Sequence, residues 1–514
     1  MNFSATDLLG VLPAAILTVG ALLLLASESF LRGAKPGAAG GATQRPPDRR
    51  YQAWLTAAFA GLGLWAALSQ MGDPPAPIFS GAALSDGFAH LVAATVCGAL
   101  LLSSLLAFGY LESLNATRGE FYALALFSAA GMCLLSQAND LLVIFISLEV
   151  MSLAIYCLTA YLRRGKRPAE AAFKYFVLGS FASAVFLYGA ALAFGATGST
   201  NLADVAQAVA AGGSGGSRGL LYGSAALLAA GFAFKVAAVP FHMWVPDVYD
   251  GAPAPVTGFM AAGVKAAAFA VLVRILVTGF GAGAAATGPQ GWQTLIIWLA
   301  VLTMVVGNLL AVPQRSVKRM LAYSSIAHAG YLLVAVASMA AGGSARAYAV
   351  QGLVFYLVSY AATVVGAFGV VALIERKLAL SGAGDDLSNW SGLSEKHPAL
   401  AAAMALFMVS LAGVPPTAGF MAKLTVFRSA IDAGLVPLAV IGVLTSAAGL
   451  YYYLRVVVYV YMVPQSEPDA VVGGRMLSAG LALAGCAIVV VWLGVAPGSF
   501  AALAQAALKS FGAP

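Results

Sequence analysis

Charge is what this chain has least of. Asp, Glu, Lys and Arg make up 9% of its 514 residues, and the mean hydropathy is +0.89. That composition excludes a soluble globular protein and reads as an all-α polytopic membrane protein whose spans form one body. Cysteine is scarce too: Cys97, Cys133, Cys157 and Cys486 are far apart, each within an apolar stretch. The spacing excludes a metal or haem site and reads as small buried hydrophobes. No phosphate loop, dinucleotide fingerprint or nucleophile–base pair is visible, so no cofactor or metal site is expected in the chain. The net charge of +7 does not point to nucleic acid, because the basic residues lie in short loops beside apolar runs. Asp7 stands where a cleaved leader would carry basic residues, so the first apolar run is expected to remain as a span.

What is present is apolar length. At roughly 20 residues per crossing, fourteen spans are expected, near 7–31, 51–70, 86–109, 119–137, 140–161, 171–195, 220–246, 253–279, 292–313, 319–340, 347–375, 399–431, 435–463 and 474–497. One set of loops carries Arg32, Lys35, Arg45, Arg49, Arg50, Arg118, Arg163, Arg164, Lys166, Arg167, Arg315, Lys318, Arg319, Arg376, Lys377, Lys396 and Arg475. The other set holds little beyond Arg218 and Arg346. The positive-inside rule then makes the first set cytoplasmic and places both termini outside. The loops 32–50 and 198–219 are rich in Gly, Ser or Pro and read as surface connections, with a short helix expected over 202–211.

The stretch 231–265 organises the rest. Lys235 and Lys265 lie near the middle of two apolar helices, separated by Pro240, Pro246, Pro253 and Pro255. A lysine at mid-membrane depth costs roughly 2.5–3.5 kcal/mol on insertion scales and marks an ion or proton path. Pro240 is expected to break the helix five residues after Lys235, and broken backbone is tolerated at that depth only around protein or water. Span twelve shows the same device: Gly413-Val414-Pro415-Pro416 interrupts it and Lys423 follows. Both breaks fall fourth in a block of five spans, 4–8 and 9–13, which predicts two inverted repeats with the ion site at the broken helices. The units expected are a three-helix segment over 1–118, repeats over 119–279 and 280–463, and a last span within 464–514.

Other intramembrane charges extend the pathway. Glu149 sits alone at the centre of span five and reads as a carboxylate tuning a neighbouring lysine. Lys174 lies near the start of span six, i,i+4 from Glu170, at a mouth where protons enter. His328, beside Tyr323, Ser324 and Ser325, reads as a carrier, and His242 as a core histidine. Arg274 and Arg455 read as snorkelling or structural ion-pairing residues.

Four motifs then carry a resemblance: KRPAEAAFKYFVLGS (166–180), FHMWVPDVYDGAPAPVT (241–257), VPQRSVKRMLAYSSIAHAGY (312–331) and GVPPTAGFMAK (413–423). They resemble the antiporter-like subunits of respiratory complex I, an NADH-quinone oxidoreductase, most closely the subunit N (mitochondrial subunit 2) type. The likeness runs from span four to span thirteen, and the Ala/Gly-rich composition is similar to bacterial versions. It implies a multi-pass subunit of the bacterial inner membrane that translocates protons without redox groups of its own. NADH, FMN, Fe–S clusters and quinone would sit in partner subunits, among them sister antiporter-like subunits. Glu149, Lys235, Lys265 and Lys423 match the family's charged positions in spans five, seven, eight and twelve, with Lys174 and His328 at intermediate ones. M-type relatives usually have glutamate at the position of Lys423. Two rival readings are a subunit of a multi-subunit cation/proton antiporter and a purely structural subunit.

Overall fold

The structure, a computed structural model, describes residues 5–33, 50–162, 166–212, 216–281, 283–288, 291–381, 386–464 and 477–510. Lys35, Arg45, Arg49, Arg163, Arg164 and Arg475, and most of the loop expected over 32–50, lie outside these residues. The described chain is helical apart from one hairpin. Its principal helices are α1 (Leu12–Gly33), α2 (Arg50–Ser69), α3 (Gly87–Ser113), α4 (Gly119–Gln137), α5 (Leu141–Thr159), α6 (Lys166–Thr197), α7 (Leu202–Ala210), α8 (Gly216–Lys235) and α9 (Val245–Gly251). There follow α10 (Ala254–Gly279), α11 (Trp292–Ala311), α12 (Val317–Ser338), α13 (Gly343–Ser381), α14 (Pro398–Ala412), α15 (Ala418–Asp432), α16 (Val436–Met462), α17 (Leu477–Val495) and α18 (Ala501–Lys509).

Eleven helices among the described residues are long and apolar enough to cross a membrane. Fourteen were expected, and three of those stretches fall short for visible reasons. Span seven ends at Lys235, span twelve is split at 413–417, and α2 begins on polar residues including Arg50 and Gln52. Helix starts follow local chemistry: Asp86 and Asp140 side chains accept hydrogen bonds from Ala89 N (2.9 Å) and Leu142 N (2.8 Å), and Ser316 caps α12 through Arg319 N (3.2 Å). The surface helix expected over 202–211 is α7, opened by an Asn201 cap.

At the centre lie α10, α12 and α13, each with more than nine-tenths of its apolar stretch buried. Long helix α13 packs on α3, α10, α12, α15 and α17. Small residues bring the backbones close. A methyl group on Gly307 of α11 would lie 2.6 Å from Ala327 N of α12, and one on Gly330 would lie 2.7 Å from Met304 N.

One face is closed by polar stapling. A hairpin of β1 (Ala76–Ile78) and β2 (Ala83–Ser85) offers its Gly81 carbonyl to Asn139 Nδ2 (3.1 Å) and Asn201 Nδ2 (2.9 Å). Beneath it, Arg274 of α10 donates to both Asp86 oxygens (2.7 and 2.8 Å) and to Ser136 O (2.8 Å), with both side chains 1% exposed. Arg274 is thus a buried structural ion pair and does not snorkel. Arg455 caps carbonyls instead, donating to Val312 O (2.8 Å) and Gln314 O. Three cysteines are buried as expected, whereas Cys157 is exposed on α5, on a face that no described element covers. Removing one member of a buried pair strands the other charge, at about 3–5 kcal/mol. Asp86→Ala is therefore expected to lower the thermal stability and membrane abundance of the chain strongly, whereas Asp86→Leu with Arg274→Leu recovers much of both; melting of the detergent-extracted protein checks it.

Candidate functional site: a lysine and tyrosine axis

The break in the seventh apolar run begins at the lysine itself. Helix α8 ends on Lys235 and the chain leaves helical geometry until α9, so the break comes five residues earlier than Pro240 alone predicts. Ala237 adopts φ 65°, and Val239–Pro240 is a cis peptide. The freed backbone groups find partners: Ala238 N donates to Ala233 O (2.8 Å), Val239 N to Thr303 Oγ1 (2.9 Å), and Trp244 Nε1 to Phe234 O (3.1 Å). Span twelve breaks as expected between α14 and α15, at Gly413 (φ 82°) and a cis Pro415–Pro416 peptide.

Each lysine of the axis is buried and held by neutral partners. Lys235 Nζ donates to Ser152 Oγ (2.8 Å) and Tyr156 OH (3.2 Å) of α5, with the faces of Tyr156 and Tyr175 5.5 and 5.9 Å away. Gly179 of α6 makes the slot for Tyr156, because any Cβ there would run into its hydroxyl. Lys265 follows a π-helical turn (Met260–Val264) in α10; its Nζ bonds Ser325 Oγ (2.7 Å) and Ser325 O and lies 4.8 Å from the Tyr360 ring centre. Lys423 Nζ donates to Leu411 O (2.8 Å), Ala412 O (2.9 Å) and Ser446 Oγ (2.8 Å). Those two carbonyls are the unpaired C-terminal ones of half-helix α14, where the helix dipole favours a cation. Among the described residues none of the three ammonium groups has a carboxylate in ion-pair range.

Tyrosines, which the sequence reading left out of the axis, join the second half. His328 is hydrogen-bonded through Nδ1 to Tyr356 OH and through Nε2 to Tyr453 OH (3.1 Å), and its ring centre lies 5.0 Å from that of Tyr360. Tyr453 OH also bonds Ser324 Oγ. Beside Tyr453, Tyr452 OH donates to Asn308 Oδ1 (3.0 Å), and Asn308 Nδ2 donates to Tyr331 OH (3.0 Å). The Tyr331 ring centre lies 5.3 Å from Lys423 Nζ. A cavity of about 10 Å³ next to His328, lined by Ser359, Tyr360, Thr363 and Ser410, is at the lower bound for one water. From Lys235 toward Lys265 the contacts are aromatic instead: Tyr175 stacks on Trp244 at 4.3 Å, Trp244 meets Tyr249 at 6.4 Å, and Tyr249 OH reaches Ser325 Oγ at 3.4 Å. The only sequence signal for these residues is their number: 19 tyrosines, many inside apolar runs.

The remaining candidates lie at the margins. Glu149 is only half-buried; it faces the surface of the chain between the exposed apolar residues Ile146, Val150 and Leu153, and accepts a hydrogen bond from Ser183 Oγ. It is thus open to the surface of the chain on one side and outside ion-pair range of Lys235. Lys174, half-exposed, pairs with Glu170 at the expected spacing (2.7 Å) and with Asp247 (2.7 Å). His242 is half-buried at the break, apart from the axis.

This arrangement stands in a known lineage. The family described as NADH:quinone oxidoreductase/Mrp antiporter, TM, matches residues 138–449. An NADH-quinone oxidoreductase subunit N of Myxococcus xanthus is 48% identical over 533 residues, covering 99% of each chain. One of Trichlorobacter lovleyi is 42% identical over 466 residues, covering 90% of each. A chain of respiratory complex I from Thermus thermophilus with bound aureothin superposes with a TM-score of 0.75 at 35% identity, over 95% of this chain and 98% of that one. A chain of the Mrp complex from Dietzia sp. shares the fold, with a TM-score of 0.80 at 22% identity over 99% of this chain and 98% of that one. The motifs, the two broken helices and near-full-length relatives agree: the chain belongs to the membrane-subunit family of NADH:quinone oxidoreductases and Mrp antiporters.

Proposed function

We propose that this chain is a proton-translocating membrane subunit of an NADH-quinone oxidoreductase, a translocase that reduces quinone in other subunits. The observation that carries the reading is the set of three buried lysines solvated by hydroxyls, carbonyls and aromatic rings, with no carboxylate in ion-pair range of any of them among the described residues. A structural ammonium is normally paired, whereas one held only by neutral groups can give up its proton and leave its surroundings satisfied. His328 supports a relay, since each ring nitrogen faces a tyrosine hydroxyl that can donate or accept.

In this reading protons enter past Lys174 on the cytoplasmic side, and Lys235, Lys265, His328 and Lys423 carry them along the midplane. Glu149, open on the surface of the chain, is the group on which a neighbouring membrane subunit acts. When that carboxylate, which acts on Lys235 from beyond ion-pair range, swings away, the Lys235 proton loses part of its support and moves toward Lys265, while Lys423 exchanges with one side of the membrane. Pro240, Pro415 and Pro416 keep the two helices broken where the lysines sit. The chain then consists of two inverted repeats, 119–279 and 280–463, flanked by 1–118 and 464–514, in the bacterial inner membrane with both termini periplasmic. NADH, FMN, Fe–S clusters and quinone are assigned to partner subunits.

Proton uptake by inside-out vesicles on adding NADH, with quinone reduction followed in parallel, tests the axis. Lys235→Ala is expected to lower the protons taken up per NADH, and wild-type uptake would sink the claim. Lys265→Arg separates carrier from scaffold: arginine keeps the charge but does not release its proton, so pumping should fall while the chain stays in the membrane. At Gly413 (φ +82°) a Cβ would lie 2.8 Å from Lys423 Cδ. Gly413→Ala should displace that lysine and reduce uptake as Lys423→Ala does, read in the same vesicles. A sodium gradient that drives proton movement without NADH would favour the antiporter instead.

A further inference from the structure

Helix α9 is the short bridge between the break at Lys235 and the helix that carries Lys265, and its Asp247 is gripped from both halves of the chain. Oδ2 accepts from Lys174 Nζ of α6 at 2.7 Å, and Oδ1 accepts from Arg319 Nη1 of α12 at 2.9 Å. The surrounding segment is held in place as well. Ser316 Oγ donates to Asp250 Oδ1 (3.4 Å), and buried Lys318 donates to Ala252 O (2.8 Å) and pairs with Glu375 (3.0 Å). Glu375 Oε2 in turn accepts from Ala254 N (3.3 Å). A methyl group on Gly251 would lie 2.6 Å from Ala171 Cβ, so α6 rests directly on the bridge.

We propose that Asp247 is a positioning residue for proton translocation, a carboxylate shared by one cation from each repeat that keeps the Lys235 and Lys265 helices in register and Lys174 at the mouth. This rests on the lysine-axis reading above. Magnitudes separate the role from plain stability. The side chains of Lys174, Asp247 and Arg319 are 39%, 34% and 34% exposed, and pairs so open to water are worth about 1 kcal/mol or less each. Loss of the clamp leaves buried Lys318 and its Glu375 partner to hold the fold. Burial alone would raise the Asp247 carboxyl, but the hydrogen bonds from Lys174 and Arg319 outweigh it and hold it below its ordinary value, as a permanently charged clamp requires.

The test uses the whole complex in inside-out vesicles, with Asp247→Asn, Asp247→Glu, Arg319→Gln and the double variant Asp247→Asn/Arg319→Gln. Expected are wild-type amounts of the chain in the membrane and a drop of about twofold or more in protons per NADH for Asp247→Asn. Asp247→Glu should restore most of it, and the double variant should be no worse than the worse single one. Wild-type pumping by Asp247→Asn overturns the proposal. Loss of the chain from the membrane in both Asp247→Asn and Asp247→Glu overturns it too, as a packing role alone. Lys235→Ala in the same preparation keeps the two readings apart. If it lowers pumping and Asp247→Asn does not, the clamp falls and the axis stands; if Lys235→Ala pumps normally, the axis falls and takes the clamp with it.

Discussion

An ammonium group in an apolar interior must find compensation, and this chain supplies it three times with no carboxylate in ion-pair range among the described residues. Bare burial of a charge costs so much that proteins pair it or neutralise it. Here Ser152 and Tyr156, Ser325, and the free carbonyls of Leu411 and Ala412 with Ser446 do the work of a counter-ion. Each partner tolerates both protonation states of the lysine, because hydroxyls can turn and carbonyls keep a second lone pair for other donors. The same feature makes the axis suitable for a mobile proton and unsuitable as a fixed ionic staple. The fixed staple lies elsewhere, at Arg274 and Asp86.

The broken helices follow from this requirement. A continuous helix satisfies its own carbonyls and has none to spare for a cation. Breaking α14 from α15 exposes two of them at the place where Lys423 folds back. In α8 the lysine is the last helical residue before the break. The two lysines therefore sit by the same end of their first half-helix, although one precedes its break in sequence and the other follows it. The likeness between the two breaks is one of helix ends and dipoles, which a comparison of lysine positions along the chain does not bring out.

The face around α9 serves a different need. Its ion pairs are open to water and individually weak, while Lys318 beneath them is buried and bonded to backbone as well as to Glu375.

How much of this was legible beforehand depended on the range of the interaction. Apolar run length and proline position are local, so the sequence by itself determined the membrane class, most helix limits and the presence of both breaks. The four motifs identified the family for the same reason. Only the tertiary structure decided what each charge faces. Glu149 looked central along its helix and proved half-open, because radial direction depends on which helices cover a face. Arg274 looked like a helix-end residue and proved sealed, because its partner comes from a turn nearly two hundred residues away in the chain. The tyrosines Tyr331, Tyr356, Tyr452 and Tyr453 carried no signal of their own along the chain, and only the convergence of three helices brought Tyr356 and Tyr453 onto His328 and Tyr331 and Tyr452 onto Asn308. A hydrogen bond needs distance and angle together, and no spacing along one chain supplies either across a bundle.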